Sequence, residues 1–174
     1  MAPEIRSEII QILEYSRREF NDAADVAEAQ AQLSPEAGRW SVLQCVEHVT
    51  TVEERFLVRL EQARREGAPP VNPRKETDLL ATVMSRITRA QAPEPVRPVG
   101  RFASLADALQ AFNAARTRTI RFTEEHADDL YSRALEHARF GPMNGAEFVR
   151  LMAGHAQRHA AQIREVRDAL ASRA

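Results

Sequence analysis

The chain has 174 residues, 44% hydrophobic and 28% charged, and 24 basic against 25 acidic side chains leave a net charge of −1. These proportions suit one globular domain over residues 1–174 with a core that needs no staples. They argue against a protein built mainly to bind nucleic acid, which would carry a net basic field. A single cysteine, Cys45, excludes an internal disulfide framework and a cysteine-rich zinc site. No run of 18 apolar residues marks a membrane span. The N-terminus lacks the basic-then-apolar pattern of a secretory signal, so the expected compartment is the cytoplasm.

Six glycines are few for an all-β chain, and alanine, leucine, glutamate, glutamine and arginine favour helix. Apolar spacing predicts a first long helix from about Pro3 to Ala31, with Ile5, Ile9, Ile12, Leu13 and Phe20 on one face. Ser41 and Gln44 form a capping box that opens a second helix, running to about Glu66. Its inner face carries Val42, Cys45, Val46, Val49, Phe56 and Leu60. Residues 67–101 hold six of the nine prolines and read as a long crossover with a short helix at about Thr77–Ala90. Ser104 caps a third helix, Leu105–Glu125. An irregular connection follows over His126–Met143. Asn144 and Glu147 open a fourth helix to about Ala171. Short links and one long crossover between the second and third long helices imply an all-α, up-down-down-up four-helix bundle.

Interruptions of the apolar faces carry the chemistry. On the fourth helix His155 and His159 fall near the centre of a stripe set by Phe148, Leu151, Met152, Val166 and Leu170. Buried imidazoles need partners. Two of them one turn apart can offer ligands to one metal, and a pair of satisfied core histidines is the alternative. His48 sits on the flank of the second helix's stripe, toward a seam with a neighbour. His126 and His137 read as loop residues. Gln162 shares the face of His155 and His159, and Gln44 lies near His48. Either glutamine could line a pocket or hold a histidine's second nitrogen, or simply cap a helix or bond at the core edge. Cys45 reads as a small core residue, and Trp40 as a staple against it.

Gly38-Arg39-Trp40-Ser41 followed by His48, then Phe140-Gly141-Pro142, then His155-x3-His159-x2-Gln162, resembles the DinB-like superfamily, in its YfiT-type branch of metal-dependent hydrolases. The resemblance spans most of the chain. It implies the same four-helix bundle, and His48, His155 and His159 as ligands of one divalent metal ion, zinc or nickel foremost. It implies no single reaction, since similar proteins include transferases that use low-molecular-weight thiols.

Three neutral ligands would leave the ion's charge undiminished, able to acidify a bound water or hold a thiol as thiolate. The expected function is therefore metal-dependent hydrolysis or thiol transfer on a small molecule, in a homodimer. A non-enzymatic metal- or ligand-binding stress-response bundle is the alternative, and a purely structural dimerisation module a third. No P-loop, GxGxxG or Ser-His-Asp signature appears.

Two more interruptions are charged. Glu53 lies between Val49 and Phe56, and Arg116 between Phe112 and Ile120. A lone buried charge is very costly, so the two are expected to pair across the second and third long helices. Glu53 is also a candidate to support a histidine ligand.

Overall fold

In a computed structural model, residues 3–87 and 91–173 are described. The helices are α1 (Pro3–Ala23), α2 (Glu28–Ala31), α3 (Val42–Glu61), α4 (Pro73–Met84), α5 (Leu105–Glu125) and α6 (Gly145–Ala171). Two short strands, β1 (Ala134–His137) and β2 (Gly141–Asn144), pair antiparallel, with Leu135 opposite Met143. The fold is all-α in its core: α1 and α3 each pack against both α5 and α6, forming a four-helix-bundle core, and α4 lies on α6.

Local chemistry sets the helix starts. Ser41 Oγ accepts from Gln44 N at 3.2 Å, and Gln44 Oε1 accepts from Ser41 N at 2.9 Å. Asn144 and Glu147 repeat that exchange at α6, at 2.9 and 3.1 Å. Each box satisfies two of the amides a helix leaves unpaired at its start. Ser104 caps α5 through Asp107 N. The third and fourth predicted helices stand where the sequence puts them.

Other boundaries differ. The first predicted helix breaks after Ala23, because Arg167 from α6 donates to the carbonyls of Asp22 and Ala23, at 3.3 and 2.9 Å, and closes α1 there. The chain then turns so that the Glu28 carboxylate accepts from Leu105 N, at the positive end of α5. The second ends at Glu61 rather than Glu66, since Arg133 takes the carbonyls of Leu60 and Glu61 and Arg64 bridges to Ala134. The crossover helix begins at Pro73, where Asn72 caps Lys75 N at 3.1 Å, and stops at Met84. Its predicted end at Ala90 lies outside the described residues. The connection expected to be irregular contains the β1–β2 hairpin, whose Gly141 has φ +69, a conformation that glycine adopts without strain.

The core falls into two apolar clusters along the bundle. One contains Leu13, Leu57, Ile120, Phe148 and Met152, and the other Phe20, Val49, Phe112, Ala156 and Ile163. Between them, on all four long helices, runs a polar layer. Arg116 Nε and Nη2 donate to Glu53 Oε1 and Oε2 at 2.8 and 3.0 Å. Its Nη1 donates to Ser16 Oγ and Leu13 O at 2.5 and 3.1 Å, and Nη2 reaches Met152 O at 3.4 Å. Thr119 Oγ1 donates to Glu53 Oε1 at 2.8 Å. Arg116 is wholly buried and Glu53 is 3% exposed, so the pair expected from the sequence forms as a full network.

Candidate metal centre

Two neighbouring helices, α3 and α6, bring three imidazoles together. His48 comes from α3, six residues past Val42, the buried start of that helix. His155 and His159 project from the same side of α6, one turn apart. Each offers one nitrogen, and the three nitrogens lie within 4.8 Å of one another. His48 Nε2 is 3.2 Å from His155 Nε2, and the ring centroids are 4.5 to 5.1 Å apart. His48 and His159 are buried and His155 half-buried.

Burial holds all three neutral. It pushes the His48 pKa down, partly offset by the hydrogen bond of its Nδ1 to the Val96 carbonyl at 2.7 Å. His155 and His159 are held well below the ordinary histidine range by burial first, then by the neighbouring imidazoles and by Arg158. Three neutral rings that close present lone pairs to a shared space. The buried Nδ1 of His159 has no hydrogen-bond partner among the described residues. A nitrogen in that state needs a donor or a cation, and the donor set fits zinc or another divalent transition metal. The cluster is therefore one that could coordinate a metal ion.

The other candidate residues are placed differently. Gln44 Oε1 serves the α3 cap. Gln162 Oε1 accepts from Arg86 Nη1 at 3.3 Å. Glu53 and Arg116 occupy each other in the polar layer, and Arg116 touches the carbonyl of Met152, three residues before His155. Cys45 is buried, and burial pushes its thiol up to about 12, so it is protonated at neutral pH. His137 closes β1 against the rings of Phe56 and Phe140, away from a plain loop role.

Sequence reasoning missed three contributors. The Trp40 ring lies 4.9 Å from that of His48 and 6.3 Å from that of His159, walling the site as well as stapling α3. Its place just before the α3 cap was the available signal. The Val96 carbonyl and the Glu47 carboxylate act through backbone groups of the crossover, which leave no side-chain signature.

The sequence matches the family model of the DinB superfamily over residues 12–163. Among solved structures, the chain is similar to YfiT from Bacillus subtilis, described as "a probable metal-dependent hydrolase with an unusual four-helix bundle topology". The TM-score is 0.63 at 18% identity, covering 98% of this chain and 90% of that one, a likeness of fold. No curated protein matches the chain in sequence.

Proposed function

This chain belongs to the DinB superfamily, and we propose that it is a cytoplasmic, single-domain, metal-dependent enzyme acting on a small molecule by hydrolysis or by transfer of a low-molecular-weight thiol. His48, His155 and His159 are the ligands, with zinc or nickel as the ion. The observation that carries this reading is the convergence of three neutral imidazole nitrogens within 4.8 Å, one ring retaining a buried nitrogen with no partner among the described residues. When bound, such an ion acts as a Lewis acid that lowers the pKa of a water or thiol beside it.

The chain's own residues supply orientation and exclusion. The Val96 carbonyl holds His48 Nδ1 as the protonated nitrogen and leaves Nε2 free toward the cluster. Trp40 covers His48 and keeps water off that side. Glu53 and Arg116 fix the spacing of α3, α5 and α6 below the site and act as positioning residues. Gln44 and Gln162 lie on the ligand helices, engaged by Ser41 and Arg86 rather than by the rings.

The helix order in this reading is up-down-down-up. Arg6 meets Glu124 and Asn21 meets Asn113, which supports opposed α1 and α5. Glu8 meets Arg150 and Glu19 meets Arg164, which supports α1 and α6 running together. Phe56 meets Phe148 while His48 meets His155, which supports opposed α3 and α6. A homodimer completes the proposal, two-fold pairs being the commonest closed assembly; light scattering should give twice the 19.6 kDa of one chain.

A second reading, a metal-binding bundle without turnover, is favoured by one observation. The rings are closed in: His48 and His159 are 4% and 7% exposed, and the Trp40 ring lies 4.9 Å from that of His48. The deciding experiment is elemental analysis of tag-free protein, followed by ester, amide and thiol-conjugation assays with the loaded form. One transition-metal ion per chain and metal-dependent turnover support the enzyme. One ion without turnover across those assays supports the second reading, and no ion overturns both.

A further inference from the structure

The residue before His48 is a buried carboxylate that takes its hydrogen bonds from main-chain amides, with the Arg101 guanidinium as a neighbouring charge. Glu47 is 2% exposed. Its Oε1 accepts from Val99 N at 2.6 Å and its Oε2 from Gly100 N at 3.2 Å. Both amides belong to the crossover, and they converge because Gly100 takes φ +80, which a side chain would strain. Between these amides and a tight 3-10 turn at Glu94–Val96 lies Pro98, whose ring fixes the backbone. That turn delivers the Val96 carbonyl to His48 Nδ1 at 2.7 Å. Two consecutive residues of α3 thus grip one strap: Glu47 holds its far end, and His48 reads the carbonyl at its near end.

We infer that Glu47 is a positioning residue for the metal centre, which holds the crossover strap so that the Val96 carbonyl locks His48 in the tautomer with Nδ1 protonated and Nε2 free. Only a carboxylate suits this place. Two backbone N–H donors converge on it, and a carboxylate gives each of them an oxygen. A glutamine offers one oxygen and sets its own N–H against the second amide. With that bond lost, the strap loosens, the carbonyl drifts from Nδ1, and the ring is free to present either nitrogen. The groups that orient a ligand typically matter 10–100-fold in metal affinity, so a loss of about that size is expected here.

This inference rests on the metal reading only in its last step, and the test separates the two. Glu47→Gln removes the acceptor. Val99→Pro removes the shorter N–H donor from the opposite side, at a residue 86% exposed, and serves as the second variant if the first fails to fold. Three measurements are made on full-length protein of native helix content: hydrogen exchange at the Gly100 amide, the His48 tautomer from imidazole nitrogen shifts at about pH 8, above the histidine range, and zinc affinity by calorimetry. Faster exchange, a mixed His48 tautomer and zinc affinity weakened about 10–100-fold in both variants are expected. Unchanged exchange, or faster exchange with an unchanged tautomer, overturns the inference. So does a changed tautomer with unchanged zinc affinity. Should the parent protein bind no zinc, the metal reading fails, and the tautomer of the variants still decides whether Glu47 orients His48.

Discussion

His48 Nε2 and His155 Nε2 face each other at 3.2 Å, a distance at which only one of the two can carry a proton. With His48 Nδ1 protonated toward Val96, the hydrogen runs from His155 to His48. To hold a divalent ion through both Nε2 atoms, His155 would carry its proton on Nδ1 instead, which leaves one lone pair on each Nε2. Binding therefore stabilises the folded state: zinc at one hundred times its Kd should raise the unfolding free energy by about 2.7 kcal/mol. His155→Ala and His48→Ala should fold yet show no zinc-dependent rise in Tm, measured by scanning calorimetry.

Acid should weaken the metal-free protein through the same rings. All three histidines have folded-state pKa values below 6.5, while the unfolded chain protonates them at about that pH. Below it the unfolded state binds more protons than the folded state, so stability falls as pH drops. Above it both states carry neutral rings and these groups contribute no slope. Urea unfolding from about pH 8 to pH 5 should show a midpoint flat in the upper part and falling in the lower. The triple His→Ala variant should lose much of that fall, His137 retaining a share.

The pairing of Glu53 with Arg116 should show a large asymmetry between single and double replacement. Removing one partner leaves the other charge buried and should cost about 3–5 kcal/mol in urea unfolding. Arg116→Met should cost more than Glu53→Gln, because it also strips a donor from Ser16, Leu13 O and Met152 O. Glu53→Leu combined with Arg116→Met should recover a substantial part of the loss. Equal, small effects from all three would show that the layer is not a brace.

Cys45 should be inert in the native protein. Its thiol, pushed up to about 12 by burial, is neither ionised nor accessible at neutral pH. A chromogenic disulfide reagent should titrate no thiol in the folded protein and one per chain in denaturant. Fast native labelling would contradict the packing of α3.

Both capping boxes, the last two helices and the Glu53–Arg116 pair were legible because each depends on residues close in sequence or on a charge breaking a clear stripe. The His155–His159 pair was legible for the same reason. His48 needed the family resemblance, since its flank position is shared by many seam histidines. The break after Ala23 was hidden: its cause is Arg167 at the other end of the chain. The Glu47 strap was hidden too, because its partners are main-chain amides more than fifty positions away. The hairpin left only Gly141 as a hint, in a stretch with no alternating apolar pattern.

The polar layer and the crossover divide labour in a way that bears on how such a chain can change over evolutionary time. The helices that carry the histidines are spaced by Arg116, which sits on α5 and whose hydrogen bonds, among the described residues, go to α1, α3 and α6. The crossover lies over that frame, touching it through α4 on α6 and through the strap on α3. Substitutions, insertions or deletions in the crossover beyond the 92–100 segment can thus remodel what surrounds the site while the spacing of the three imidazoles stays set. One frame can then carry different coverings over the same three imidazoles.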